Sequence, residues 1–268
     1  IAVNQTLAKR IRLRVDALFG RGKDLGPCVN VSRLQGDALH TYGQSRPDPS
    51  EDTEFYLSEE LLAQGVEAYR KFTHGRSVTS PLVNVPEVLD VMSSPALYQA
   101  CEEELWNDWC FGYVKLRRFF ANGLPDFDTT FWHYDDNSAN FRKLIIYLSP
   151  IESLEDGPFW YVLGSPALRD QLTPTREGTY TIEESKLVQA FGRDSLQPVL
   201  GSEGTAFLTD TTGWHRGSRP MHHDRYVLYV NLVVEPEYGG KGAEMFVKGD
   251  DLQRAGCDAI RFRDYSIL

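Results

Sequence analysis

The chain has 268 residues, 41% of them apolar and 25% charged, with 14 Phe, 13 Tyr and 5 Trp. That is enough to bury one sizeable, aromatic-rich core, while a net charge of −10 excludes the broad basic face that nucleic acid or an anionic membrane requires. No apolar run reaches membrane-spanning length and the first residues lack a secretory apolar core, so a cytoplasmic location is expected, with Cys28, Cys101, Cys110 and Cys257 as reduced thiols.

Residues 7–19 carry Leu7, Ile11, Val15 and Leu18 at helical spacing, and Gly20 and Gly22 are expected to stop that helix. Its Lys9, Arg10, Arg12 and Arg14 read as a solvated face rather than an anion patch. Residues 21–51 are rich in Gly, Pro, Asp and Ser and read as irregular, either a lid over a cleft or a passive loop. Ser58 is placed to cap a helix from Glu59 to about Phe72, with Glu59 and Glu60 in its first turn. A helix follows from Pro86 to Met92, and Ser94-Pro95 starts another reaching about Cys110. These helices are expected outside a sheet, making 1–110 a mostly helical flank.

From Gly112 the pattern changes to short apolar runs parted by turn residues such as Asn122-Gly123 and Asp156-Gly157. Tyr113–Phe120, Thr129–Tyr134, Phe141–Leu148, Pro158–Leu163, Thr179–Ile182, Thr205–Thr209 and Tyr226–Val234 read as strands. Such a series predicts a mainly β domain with flanking helices, built on a double-stranded β-helix, the jelly-roll or cupin-like barrel. One domain is expected over 1–268, with its core at 111–236 and an extension at 237–268 that wraps back.

Within the second of those runs stands His133-x-Asp135. A strand repeats every two residues, so both side chains share one face. His215 follows 82 residues after His133 in Gly213-Trp214-His215, and is expected to reach the pair from an opposite wall of the barrel. Two imidazoles and one carboxylate form the facial triad of non-heme Fe(II) oxygenases, which leaves metal positions open. Trp132 and Trp214 should face away, into packing. Arg225 lies ten residues beyond His215 and opens the last strand, where a guanidinium can clamp a keto acid's far carboxylate. Arg216 alternates away from the metal, and Arg219 sits in a turn, a candidate substrate contact. His222 and His223 read as solvated, and His40 and His74 as structural or exposed residues outside the barrel.

The ordered set His133-x-Asp135, Gly157-Pro158-Phe159, Gly164-Ser165-Pro166, His215 and Arg225 resembles the phytanoyl-CoA dioxygenase-like family of Fe(II)/2-oxoglutarate oxygenases over roughly residues 52–236. That resemblance implies metal binding by His133, Asp135 and His215, 2-oxoglutarate and O2 as co-substrates, and hydroxylation of an unactivated C–H in a small molecule. Related halogenases replace the carboxylate by a small residue, so Asp135 disfavours halogenation. Gly217 stands where members often carry a small hydroxyl residue. Tyr147 and Lys115 are candidate co-substrate contacts, with Arg117, Thr209 and Thr211 as further possibilities beside a purely structural role. The competing reading is a cupin-like metal-binding or regulatory protein without turnover. The resemblance does not name the substrate.

Overall fold

Asn4 opens the first element. Its side chain accepts a hydrogen bond from the Thr6 amide at 2.8 Å, and helix α1 (Gln5–Arg21) runs to Gly22, whose φ of 64° closes it in the left-handed region. Gly20 lies inside the last turn instead of ending it. The structure is a computed structural model and describes residues 3–22, 25–31, 39–40, 54–57, 59–105, 109–135, 141–172, 174 and 180–234. The expected C-terminal extension, Cys257 and most of the lid candidate lie outside these residues.

Further helices are α2 (Glu59–Ala63), α3 (Val66–Tyr69), α4 (Pro81–Asn84), α5 (Glu87–Met92), α6 (Pro95–Leu105) and α7 (Glu184–Phe191). The helix expected over 59–72 is broken in two because Gly65 takes a φ of 86°. The one expected to reach Cys110 ends at Leu105, since the chain from Trp109 onward is drawn into a sheet.

The flank is less helical than its sequence suggests. It supplies strands β1 (Leu25–Val31), β2 (Leu39–His40), β3 (Glu54–Leu57) and β4 (Thr73–Val78) before β5 (Trp109–Phe119). The rest are β6 (Trp132–His133), β7 (Phe141–Tyr147), β8 (Phe159–Val162), β9 (Thr181–Ile182), β10 (Leu196–Val199), β11 (Ala206–Thr209), β12 (His215–Gly217) and β13 (Arg225–Val234). They form two antiparallel sheets, one of order β11-β7-β13-β5-β4-β1-β3-β2 and a smaller one of order β10-β8-β12-β6-β9.

Alternation along the central strands sorts their side chains. Leu116, Leu144, Ile146, Tyr226, Leu228, Val230 and Leu232 join a buried cluster with Ile11 and Val15 of α1, Leu89 of α5 and Leu97 of α6. Helices therefore cover that face. The intervening residues Phe119, Ile145, Tyr147 and Val227 face the other way and meet Phe159 of β8. The far side of the smaller sheet packs Trp132, Trp214, Val162, Ile182 and Leu196 against Leu187 of α7, so both tryptophans turn into packing as alternation requires.

Three basic residues of α1 are held in ion pairs. Arg10 and Arg14 pair with Glu87, and Arg12 with Glu203 at 2.8 Å. Cys28 and Cys101 are buried and free, and burial pushes their thiols up to about 11 and about 12. No helix among the described residues is long and apolar enough to cross a membrane.

Candidate metal centre

His133 and His215 come from neighbouring strands, not opposite walls. β6 and β12 are hydrogen-bonded partners, and the two histidines stand directly across from each other. Their ring centroids are 4.3 Å apart. Asp135 lies just beyond the short β6, and its amide donates to Thr211 O at 2.8 Å. The expected strand over 129–134 is reduced to two residues after a 3-10 turn at Asp128–Thr130. The carboxylate is thus set by the Thr211 turn as well as by alternation. Ligand atoms of His133, Asp135 and His215 all lie within 4.8 Å of one another.

Each imidazole is oriented in the same way. His133 Nδ1 lies 2.8 Å from Phe131 O, and His215 Nδ1 lies 2.8 Å from Gly213 O. A carbonyl only accepts, so both Nδ1 atoms carry the proton and both Nε2 atoms keep a free lone pair. Those Nε2 atoms stand 3.9 Å and 3.8 Å from Asp135 Oδ1. Metal-ligating histidines characteristically tie the other ring nitrogen to a carbonyl or carboxylate, which fixes tautomer and ring direction. Two imidazole nitrogens and a carboxylate oxygen suit a divalent first-row metal with open positions.

Charge supports the same use. Burial, then the neighbouring His133, lowers His215 to about 3, so its imidazole is neutral at ordinary pH. Burial is the largest single influence and raises the Asp135 carboxyl, but the Lys143 ammonium, the two histidines and the Lys143 hydrogen bond together outweigh it and hold Asp135 well below the usual carboxylate range. Lys143 Nζ donates to Asp135 Oδ2 at 2.7 Å.

The turn before His215 is tightly specified. Asp210 Oδ1 accepts from Thr212 N at 3.0 Å and from Thr212 Oγ1 at 2.6 Å. A Cβ on Gly213 would stand 2.5 Å from Tyr161 Oη and 2.7 Å from Ser165 Oγ, so only glycine fits. Ser165 Oγ accepts from Trp214 N at 2.8 Å, and Phe159 stacks on the His215 ring at 5.4 Å.

Arg225 is buried over the Phe119 ring, 4.3 Å from its centroid. Its Nη1 donates to Gly157 O and to Ser218 O. Gly157 holds a φ of 79°, and a Cβ there would stand 2.7 Å from Ser218 O, so its carbonyl is available only because the residue is glycine. Arg225 Nε is buried without a hydrogen-bond partner, and Nη2 lies 3.7 Å from where a Cβ on Gly217 would be. Gly217 shares its strand face with His215, two residues away. The bare glycine leaves room between guanidinium and histidine.

Other expected contacts divide. The Tyr147 hydroxyl does not reach outward: it donates to Val199 O at 2.9 Å and accepts from Phe159 N at 3.0 Å. Its one proton is committed, so it has none for a carboxylate, and burial first of all pushes it up to about 12. Lys115 is opposite Tyr229 on the site-facing side of the large sheet, with Arg117 opposite Val227. Thr209 is buried opposite Lys143, and Thr211 holds Asp135 through its carbonyl. Arg216 points away, between Trp132 and Trp160 at 4.8 Å and 5.4 Å. Arg219 pairs with Asp126 at 2.6 Å beside Arg225. His222 and His223 are exposed, and His222 meets Glu155 at 3.0 Å. His40 lies on the edge strand β2. His74, expected outside the barrel, is a buried residue of β4 whose ring lies tilted against Phe127 at 4.1 Å, where it lines a cavity with Arg225.

Two site residues escaped the sequence. Lys143 shares the face of Tyr147 on β7, four residues earlier, and alternation alone points it inward. Asp224 precedes Arg225 and anchors its strand: Oδ1 accepts from Arg70 at 2.6 Å and from Ala121 N at 2.9 Å, Oδ2 from Arg118 at 2.8 Å.

No protein-family model matches the chain, and no curated protein does. Solved structures do. The non-heme monooxygenase ThoJ is 13% identical, with a TM-score of 0.50, over 88% of this chain and 72% of that one. AviO1 from Streptomyces viridochromogenes Tue57 is 15% identical, with a TM-score of 0.49, over 88% and 87%. HygX from Streptomyces hygroscopicus, solved with nickel and 2-oxoglutarate bound, is 18% identical, with a TM-score of 0.44, over 72% and 80%. At such identity the likeness to ThoJ shows a common fold, and fold alone does not fix an activity.

Proposed function

We propose that the chain is a non-heme Fe(II)- and 2-oxoglutarate-dependent dioxygenase on a double-stranded β-helix core, similar to phytanoyl-CoA dioxygenase-like enzymes, and that it hydroxylates an unactivated C–H of a small-molecule metabolite. One observation carries the reading: two imidazoles, each with Nδ1 on a backbone carbonyl, turn Nε2 toward the same oxygen of Asp135. His133, Asp135 and His215 are the ligands of the ferrous ion, and Arg225 receives the far carboxylate of 2-oxoglutarate through Nε and Nη2. Bound iron supplies oxygen activation, with the keto acid as the electron source.

The chain's own residues do the rest. Phe159 and Phe119 keep water from the imidazole of His215 and the guanidinium of Arg225. Tyr147 joins β7 to the start of β8, which keeps the two sheets at fixed separation. Lys115, on the site-facing side, is assigned a second anion contact. ThoJ, which has this fold, is a non-heme monooxygenase, and that favours oxidative chemistry over a barrel that only binds metal.

Succinate release from 2-oxoglutarate, with Fe(II) and O2 across a metabolite panel, tests the reading. Turnover is expected in wild type and absent in Asp135→Ala. In Arg225→Ala the 2-oxoglutarate requirement rises about tenfold or more, with iron affinity little changed. Metal binding without succinate for any substrate would favour the idle cupin-like protein, and unchanged turnover in Asp135→Ala would refute the site.

A further inference from the structure

Asp135 uses its two oxygens differently. Oδ1 faces both imidazoles, at 3.9 Å and 3.8 Å, while Oδ2 is bound by Lys143 Nζ at 2.7 Å. Lys143 is not a surface residue leaning in. It belongs to β7, an interior strand of the large sheet, paired with Thr209 on one side and Asn231 on the other. Both charged side chains are largely covered, at 18% and 22% exposure, where a charge-assisted hydrogen bond is strong. The Asp135 backbone is held as well, by Thr211 O.

We propose that Lys143 is the positioning residue that restricts Asp135 to one-oxygen ligation and so keeps a metal position open for O2. The inference rests on the functional reading above. A carboxylate with both oxygens free can chelate a divalent ion through both. In a six-coordinate ion, two imidazoles and one oxygen leave three positions, which a chelating keto acid and O2 fill. A second carboxylate oxygen would take the last of them. Lys143 prevents this by occupying Oδ2, at the cost of placing a positive charge beside a cation site. Its removal therefore has an unusual signature: the metal binds more tightly while the site closes to a diatomic ligand.

The full chain is compared with Lys143→Met, which keeps the length of the stem, and with Lys143→Arg, which keeps the charged donor. Manganese(II) affinity by titration reads the first half of the signature. For Lys143→Met it should rise on the order of tenfold, as expected for removing one nearby positive charge at a partly solvated site. The spin-3/2 resonance of Fe(II) with nitric oxide reads the second half. With 2-oxoglutarate present, wild type and Lys143→Arg should give the signal, and Lys143→Met should lose it while regaining it when 2-oxoglutarate is left out. A general loss of structure would instead weaken metal binding and the signal together.

Weaker manganese binding in Lys143→Met, or an undiminished nitric oxide signal with 2-oxoglutarate present, overturns the proposal. A wild type that binds manganese but shows no change on adding 2-oxoglutarate to its ferrous form overturns the oxygenase reading instead, and the manganese comparison still decides the role of Lys143.

Discussion

The two faces of the large sheet share the same strands and do opposite work. On the helix side, alternate residues of β5, β7 and β13 are aliphatic and fully buried, as Leu116, Leu144, Ile146, Leu228 and Val230 illustrate. On the site side, the residues between them include Lys115, Arg117, Lys143, Arg225 and Asn231 among the apolar Ile145 and Val227. One face maximises apolar burial. The other accepts charged and polar groups in a covered space, where each needs a partner to avoid the cost of desolvation. Stability is thus concentrated on the helix face, while the site face turns Lys143 and Arg225 toward the candidate ligands of the smaller sheet.

That contrast can be broken most forcefully from the helix side. Leu228→Ala removes a fully buried side chain and should lower unfolding free energy by about 2–5 kcal/mol. Urea denaturation measures the loss, and metal stoichiometry of the folded fraction should stay unchanged. Asp224→Ala acts at the junction of the faces. It strips a partner from Arg70 and Arg118, whose side chains remain partly exposed, so a loss of about 2–3 kcal/mol is expected after allowing for screening. The same variant should also weaken 2-oxoglutarate binding, because Arg225 is the next residue.

Gly213→Ala tests the candidate site from the smaller sheet without touching a ligand. Its Cβ would meet Tyr161 and Ser165 and shift the carbonyl that orients His215. Calorimetric titration should show metal affinity falling about 10–100-fold, with less loss of stability than Leu228→Ala. The smallest effect concerns acid. Burial pushes the Glu87 carboxyl up, but the hydrogen bond from Arg14, its own backbone contact and the charges of Arg14 and Arg10 win, leaving it below 4.5. A depressed carboxyl contributes stability above its unfolded value and loses it as pH falls through its folded value. Thermal melts from pH 7 down to about 3 should therefore fall less steeply in Glu87→Gln, and an identical slope would mean that Glu87 contributes nothing to the acid limb.

Much of this arrangement is written locally. The nearly unbroken run of aromatic and β-branched residues from Tyr226 to Val234 predicts β13. The types and order of His133, Asp135, His215 and Arg225 single them out before any coordinates. What local pattern does not carry is register. His215 sits in a three-residue strand after a tight turn, and its pairing with His133 is a tertiary fact. Strand β4 also hides, because Thr73-His74-Gly75-Arg76 is buried along its whole length and shows no alternation. Tyr147 misleads in the opposite sense: its inward direction is legible, but the carbonyl and amide that claim its hydroxyl come from chain segments far away. Lys143 was equally legible by direction, and its partner identity was not.

The most direct test of the central claim is an anaerobic titration of the full chain with Fe(II) and 2-oxoglutarate, followed by visible absorption. A weak charge-transfer band should appear only when both are present, saturate at one equivalent of iron, and vanish in His133→Ala and His215→Ala. Absence of the band in wild type, or its persistence in either histidine variant, would contradict a shared ferrous site at these residues.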